Sequence, residues 1–134
     1  MAYSNESKNV IVLEDDISMS ITLNEMIEKL GFVAHSSKNR EQFLGIYQSD
    51  ISYFAIILDN QVPYDNQAEK RGMIKKDVGL NLAPELLRRE KGLRVALHTG
   101  CDMSPKQDEF ERIGLVYLPK PVAMQSLRRF LEAA

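Results

Sequence analysis

The chain is short of several features that would place it in a special environment. It has one cysteine, Cys101, in 134 residues, so no intramolecular disulfide framework can form. That usage fits a reducing compartment. No apolar run approaches the roughly 20 residues that a membrane-spanning helix needs. The opening residues, MAYSNESKN, are polar and lack the apolar core of a secretory signal. A marked excess of one charge is missing as well. The net charge of −2 gives no general electrostatic reason to bind nucleic acid or an acidic membrane. Repeats, low-complexity tracts and linker-like stretches are also lacking. What is left is an ordinary globular composition, 44% hydrophobic and 27% charged, at a length that can bury a sizeable core. The expectation is one soluble, cytoplasmic domain spanning 1–134.

The apolar pattern predicts five strands alternating with five helices. Val10 to Leu13 is a short continuous apolar run, as in a strand buried on both faces. Met19, Leu23, Met26, Ile27 and Leu30 then recur at helical spacing, with Gly31 placed as a C′ glycine. Phe32 to Ala34 is a second strand candidate. SSKNREQF opens a second helix with Phe43, Ile46 and Tyr47 on its inner side. Tyr53 to Asp59 is the clearest buried strand. An irregular stretch follows from Asn60 to Val78, then a third helix carrying Leu80, Ala83 and Leu87. Pro84 is tolerable there only near the first turn, or else it kinks the helix. Arg94 to Thr99 is the fourth strand. Ser104 and Pro105 read as an N-cap and proline at N1 of a short fourth helix. Leu115 to Lys120 is the fifth strand, and Met124, Leu127, Phe130 and Leu131 line the last helix. Such alternation implies an α/β fold, a parallel sheet with helices on both faces.

In open sheets of this kind, function gathers at the carboxyl ends of the strands. Strand one ends in Glu14, Asp15 and Asp16, strand three in Asp59, strand four in Thr99 and strand five in Lys120. Strand two ends in His35 and Ser36, which carry no clear message. Glu14, Asp15 and Asp59 together would make a pocket of negative charge that is unstable alone. Mg²⁺ relieves it, since that ion takes one or two carboxylates and keeps waters that a phosphate can replace. Asp59 can then attack a phosphoryl group and form an aspartyl-phosphate. Lys120 offers an ammonium and Thr99 a hydroxyl to the phosphoryl oxygens.

At these residues the sequence resembles the response-regulator receiver domains of two-component signalling, over nearly its whole length. VLEDD is similar to the family's acidic turn, with Glu14 and Asp15 as the metal-binding pair. LDNQVP is similar to its phosphoacceptor segment, with Asp59 as the acceptor and Pro63 the usual following proline. LHTG is similar to the switch strand at Thr99, and VYLPKP to the last strand, with Lys120 before Pro121 and Tyr117 at the aromatic switch position. The resemblance implies a doubly wound five-stranded parallel sheet of order 2-1-3-4-5. It implies metal ligation by Glu14, Asp15, Asp59 and the backbone carbonyl of Gln61. It also implies phosphoryl transfer from a histidine kinase or histidine phosphotransfer protein. The switch would use Thr99 and Tyr117 to alter the face made by helix 4, strand 5 and helix 5. A downstream protein or output domain would read that face, and a homodimer is a family habit. Pro119 suits an edge strand, which strand five is in this order. A cis Lys120–Pro121 bond is expected from the family.

Four positions depart from the pattern. Glu14 stands where aspartate is commoner. Gln61 and Cys101, each two residues past a site residue, occupy positions that tune phosphoryl lifetime in the family. The stretch from Tyr64 to Asp77 lengthens the loop after Asp59 by about a dozen residues, and loops of that length are typically functional or disordered. Lys70, Arg71, Lys75 and Lys76 make it mildly basic. It reads first as a solvated face and secondly as a lid. Asp16 reads as a local cap or a group behind the metal ligands. His98, next to Thr99, raises the idea of a phosphohistidine but reads first as a buried or half-buried structural histidine, and His35 reads as a surface residue. Two rival readings stand beside this one: an interaction module on the same fold that does not signal by phosphate, and a true enzyme, a phosphatase with Asp59 as nucleophile. The second lacks the aspartate that such hydrolases place two residues on, where this chain has Gln61.

Overall fold

The computed structural model describes residues 3–132. Five strands form one parallel sheet in the order β2-β1-β3-β4-β5. They are β1 (Asn9–Leu13), β2 (Val33–Ser37), β3 (Ala55–Asp59), β4 (Arg94–Thr99) and β5 (Leu115–Pro119). Six α-helices connect and follow them: α1 (Ile17–Lys29), α2 (Arg40–Tyr47), α3 (Asn66–Lys70), α4 (Val78–Arg89), α5 (Gln107–Ile113) and α6 (Met124–Glu132). The order is the flavodoxin-like one, with β1 and β3 side by side where the winding reverses.

The strand sequences explain both faces. Successive side chains alternate across a sheet. Ile11, Leu13, Ile56, Leu58, Val95 and Leu97 pack on one side with Phe43 of α2, Leu82 and Leu86 of α4 and Phe110 of α5. Val10, Val12, Ile57 and Ala96 pack on the other with Leu23 and Ile27 of α1 and Leu127, Phe130 and Leu131 of α6. The continuous apolar runs of β1, β3 and β4 therefore lie between two helical layers. The helix ends follow their caps. Asp16 accepts the Met19 N–H at the start of α1, Asn39 accepts that of Gln42 at the start of α2, and Gly31 takes φ +92° just past α1.

The structure differs from the sequence reading at four places. Among the described residues the helices number six, because the stretch read as irregular holds α3, capped by Asp65 through the Ala68 N–H at 2.8 Å. This helix buries none of its side chains, so no apolar period marks it. Helix α4 begins at Val78, which puts Pro84 past the first turn. Ser104 is the first residue of a 3₁₀ turn, Ser104–Lys106, and not its cap; Asp102 accepts its N–H at 2.9 Å. Strand β2 is also displaced toward the C-terminus and ends at Ser37, whose hydroxyl donates to the Val12 carbonyl at 2.6 Å.

The Tyr64–Asp77 insertion is a docked element. Its base closes where Val62 and Lys75 pair, with N–H to carbonyl distances of 3.3 and 3.0 Å. Its body sits on the N-terminus of α2, where helical N–H groups lack partners within the helix. The Pro63 and Tyr64 carbonyls accept the Arg40 and Glu41 N–H groups, and Asn39 donates to Asn66 and Glu69. The Tyr64 ring lies under the Arg40 guanidinium, 4.6 Å from its centroid.

Candidate functional site

The carboxyl ends of β1, β3, β4 and β5 converge on an open pocket that includes Glu14, Asp15, Asp59, Gln61, Thr99 and Lys120. Glu14 and Asp59 are buried at the pocket floor, while Asp15 is half-buried. Each of the three carboxylates offers an oxygen within 4.8 Å of the others. Lys120 neutralises the floor. Its Nζ lies 2.8 Å from Glu14 Oε1 and 3.0 Å from Asp59 Oδ2. The other Glu14 oxygen accepts the Asp16 N–H at 3.0 Å.

These contacts set the protonation tendencies. Burial, above all, raises the Glu14 carboxyl above its ordinary value; the Asp59 charge adds to the rise, and Lys120 opposes it. Burial also raises Asp15, with the Glu14 charge second. Burial alone would lower Lys120, but the carboxylates of Glu14 and Asp59 outweigh it and raise the ammonium. The all-oxygen donor set fits a hard divalent cation. Three carboxylates gather beside one lysine, which leaves the floor short of positive charge.

Local backbone geometry fixes Asp59. Asn60, buried just after it, accepts the Val78 N–H on its carbonyl at 2.8 Å and the Leu80 N–H on its side chain at 3.0 Å. The first turn of α4 is thereby pressed onto the end of β3. A Cβ on Gly79 would stand 2.7 Å from the Asp59 carbonyl oxygen, so only glycine fits without movement. The Gln61 N–H donates to Asp59 Oδ1 at 3.4 Å, and its side-chain amide reaches Cys101 Sγ at 3.5 Å.

The β4 edge joins two further residues through one peptide segment. The Thr99 hydroxyl accepts the Cys101 N–H at 3.2 Å, and the Tyr117 hydroxyl donates to the Cys101 carbonyl at 2.8 Å. Cys101 itself is an exposed thiol. None of the residues from Tyr64 to Asp77 lines the pocket, so the insertion is not a lid in this arrangement. Sequence reasoning did not connect His98 with the site. Its ring is buried beside Glu14, with Nδ1 3.6 Å from Oε1. Burial and the Lys120 charge lower it to about 4, so it is neutral. The Asp59–His98 register between β3 and β4 was the signal available, once strand order was known.

The sequence matches no protein-family model and no curated protein. Solved structures do match. The non-phosphorylated HemR receiver domain from Leptospira biflexa aligns at a TM-score of 0.73 and 20% identity, over 96% of this chain and 97% of its own. The chain has the receiver-domain fold. A response regulator receiver domain from Clostridium thermocellum shares the receiver fold at a TM-score of 0.72 and 18% identity, over 92% and 90% of the two chains. A Burkholderia pseudomallei response regulator, solved with a phosphorylated aspartic acid, a calcium ion and citrate, aligns at 0.71 and 20%, over 95% of this chain and 68% of that one. The expected strand order is the observed one, and the Lys120–Pro121 bond is cis as expected.

Proposed function

We propose that the chain is a phosphorylation switch that accepts a phosphoryl group on Asp59. The observation that carries this reading is the floor of the pocket. A buried carboxylate lies within 4.8 Å of two more, with a lysine 3.0 Å from its oxygen, in a fold that hosts receiver chemistry. Glu14, Asp15 and Asp59, with the Gln61 carbonyl, would hold Mg²⁺. When bound, that ion supplies charge neutralisation and polarises the incoming phosphoryl oxygens. An Asp59 oxygen forms the new bond to phosphorus as the donor's own bond breaks and its electron pair leaves with the donor. A phosphohistidine on a kinase or phosphotransfer protein is the donor that fits. Exposed Ile17 and Ile21 on α1, flanking the pocket residue Met19, give such a protein an apolar place to dock.

The hydrogen bonds at Cys101 suggest how the charge change spreads. Thr99 turning its hydroxyl to a phosphoryl oxygen gives up the Cys101 N–H. That frees the peptide whose carbonyl holds Tyr117. Tyr117 can then turn inward and alter the face of α5, β5 and α6, which are the fourth expected helix, the fifth strand and the last helix. A local charge change thus biases a two-state element. Readers of that face, a second copy included, belong to this same proposal, as does a cytoplasmic setting.

Two variants test the reading. Asp59→Asn incubated with Mg²⁺ and acetyl phosphate should gain no phosphoryl mass while wild type gains one. Lys120→Ala should lose the NMR shifts at Tyr117 that phosphorylation causes in wild type. Equal mass gain in Asp59→Asn, or an unchanged Tyr117 response in Lys120→Ala, contradicts the assignment. The rival of an interaction module draws on the exposed Met73 and Ile74 of the insertion. It requires a site indifferent to Mg²⁺.

A further inference from the structure

His98 breaks a rule of protein interiors. Buried polar groups find partners, and an exception calls for an explanation. This imidazole is 1% exposed on a central strand, and neither ring nitrogen has a hydrogen-bond partner among the described residues. Valine or isoleucine would suit the position at no desolvation cost. The ring is aimed at one group, since its Nδ1 stands 3.6 Å from Glu14 Oε1. The distance is just beyond a hydrogen bond, and a small shift of the carboxylate closes it.

Glu14 needs such a partner. Its arm is one methylene longer than aspartate, so its carboxylate has one more torsion to fix. One oxygen is held by the Asp16 N–H. The other is shared with Lys120, which also serves Asp59 and, in the function proposed above, the phosphoryl oxygens. Lys120 is therefore a partner whose allegiance changes. His98 sits on a rigid strand and cannot leave. Residues that hydrogen-bond metal-binding carboxylates orient them, and their loss typically weakens metal affinity by about 10–100-fold.

We propose that His98 is a positioning residue for the cation site, donating an Nδ1 hydrogen bond to Glu14 so that the longer carboxylate is aimed at the metal. The inference rests on the metal-site reading of Glu14, Asp15 and Asp59. It also accounts for two oddities together: glutamate where aspartate is commoner, and a polar ring in the core beside it.

Isothermal titration of the protein with Mg²⁺ tests it on wild type, His98→Val and His98→Asn. The valine variant fills the strand position without a donor. The asparagine variant keeps an N–H near the place of Nδ1. His98→Val should bind Mg²⁺ about tenfold or more weakly, while His98→Asn stays near wild type. Thermal unfolding without metal supplies the second readout. His98→Val should melt at or above the wild-type temperature, since an unpartnered buried imidazole has gone. Wild-type Mg²⁺ affinity in His98→Val overturns the proposal and leaves the metal site standing. Equal weakening in both variants overturns it too, as does a lower metal-free melting point in His98→Val, which marks a packing residue. Absence of Mg²⁺ binding in wild type removes the metal site itself, and the role of His98 with it.

Discussion

Lys120 is the residue on which the pocket turns. A single ammonium sits 2.8 and 3.0 Å from two buried carboxylates, so it serves as the resident counter-charge of the floor. Burial first, with neighbouring negative charge adding to it, raises the carboxyls of Glu14 and Asp15. A divalent cation would repair that deficit and leave Lys120 available to an anion. Gly79 is the second residue of consequence. Its missing Cβ lets α4 rest on the Asp59 carbonyl and against Leu97. Gly79→Ala puts a methyl group 2.6–2.7 Å from those atoms, one of them backbone. Overpacking of this kind costs about 1–3 kcal/mol. A lower urea midpoint at unchanged slope is the expected result, together with slower phosphoryl acceptance. A variant as stable as wild type would show that α4 can lift off β3 freely.

At the scale of elements, the insertion and the far end of the sheet each carry a prediction. The insertion is closed by the Val62–Lys75 pair and lies on α2, away from the pocket. Replacing 64–74 by a short Gly-Ser turn should leave Mg²⁺ binding within about twofold. It should also destabilise the fold by about 1–3 kcal/mol, as the Asn39 side chain and the Glu41 N–H lose partners. Loss of Mg²⁺ binding would instead tie the insertion to the site. At the opposite end of the sheet, Glu90 accepts hydrogen bonds from the hydroxyls of Tyr53 and Tyr47 and from the Tyr3 N–H. Burial would raise its carboxyl, but these donors prevail and hold it below the ordinary 4.5. A depressed carboxyl adds stability above its unfolded value and loses it as pH falls through the folded one. Wild type should therefore lose melting temperature more steeply than Glu90→Gln from about pH 5 to about pH 3. Parallel profiles would contradict that role. These two elements also mark what could be read in advance. Continuous apolar strands ending in Glu14, Asp59, Thr99 and Lys120 announced the sheet and the gathering of polar groups at its edge. Helix α3, the docking of the insertion on α2 and the place of His98 were hidden. Helix α3 buries no side chain, the docked insertion rests on hydrogen bonds between distant segments, and His98 meets Glu14 only through the strand order, so none of them leaves a period in the sequence.

The whole molecule is a layered sheet that brings four strand ends to one edge and holds a separate, exposed face on α5, β5 and α6. No described helix is long and apolar enough to cross a membrane. Binding to the folded state alone stabilises by mass action, by about 2.7 kcal/mol at a hundredfold excess over Kd. Mg²⁺ should accordingly raise the melting temperature of wild type and leave that of Asp15→Asn nearly unchanged. An equal rise in both would place the ion elsewhere. The most direct test of the switch is intact mass spectrometry after incubation with acetyl phosphate, with and without Mg²⁺, followed by hydroxylamine, which cleaves acyl phosphates. One phosphoryl addition that requires Mg²⁺, maps to Asp59 and disappears with hydroxylamine is the expected result. No addition, or one that survives hydroxylamine or maps to another residue, would contradict phosphoryl acceptance at Asp59.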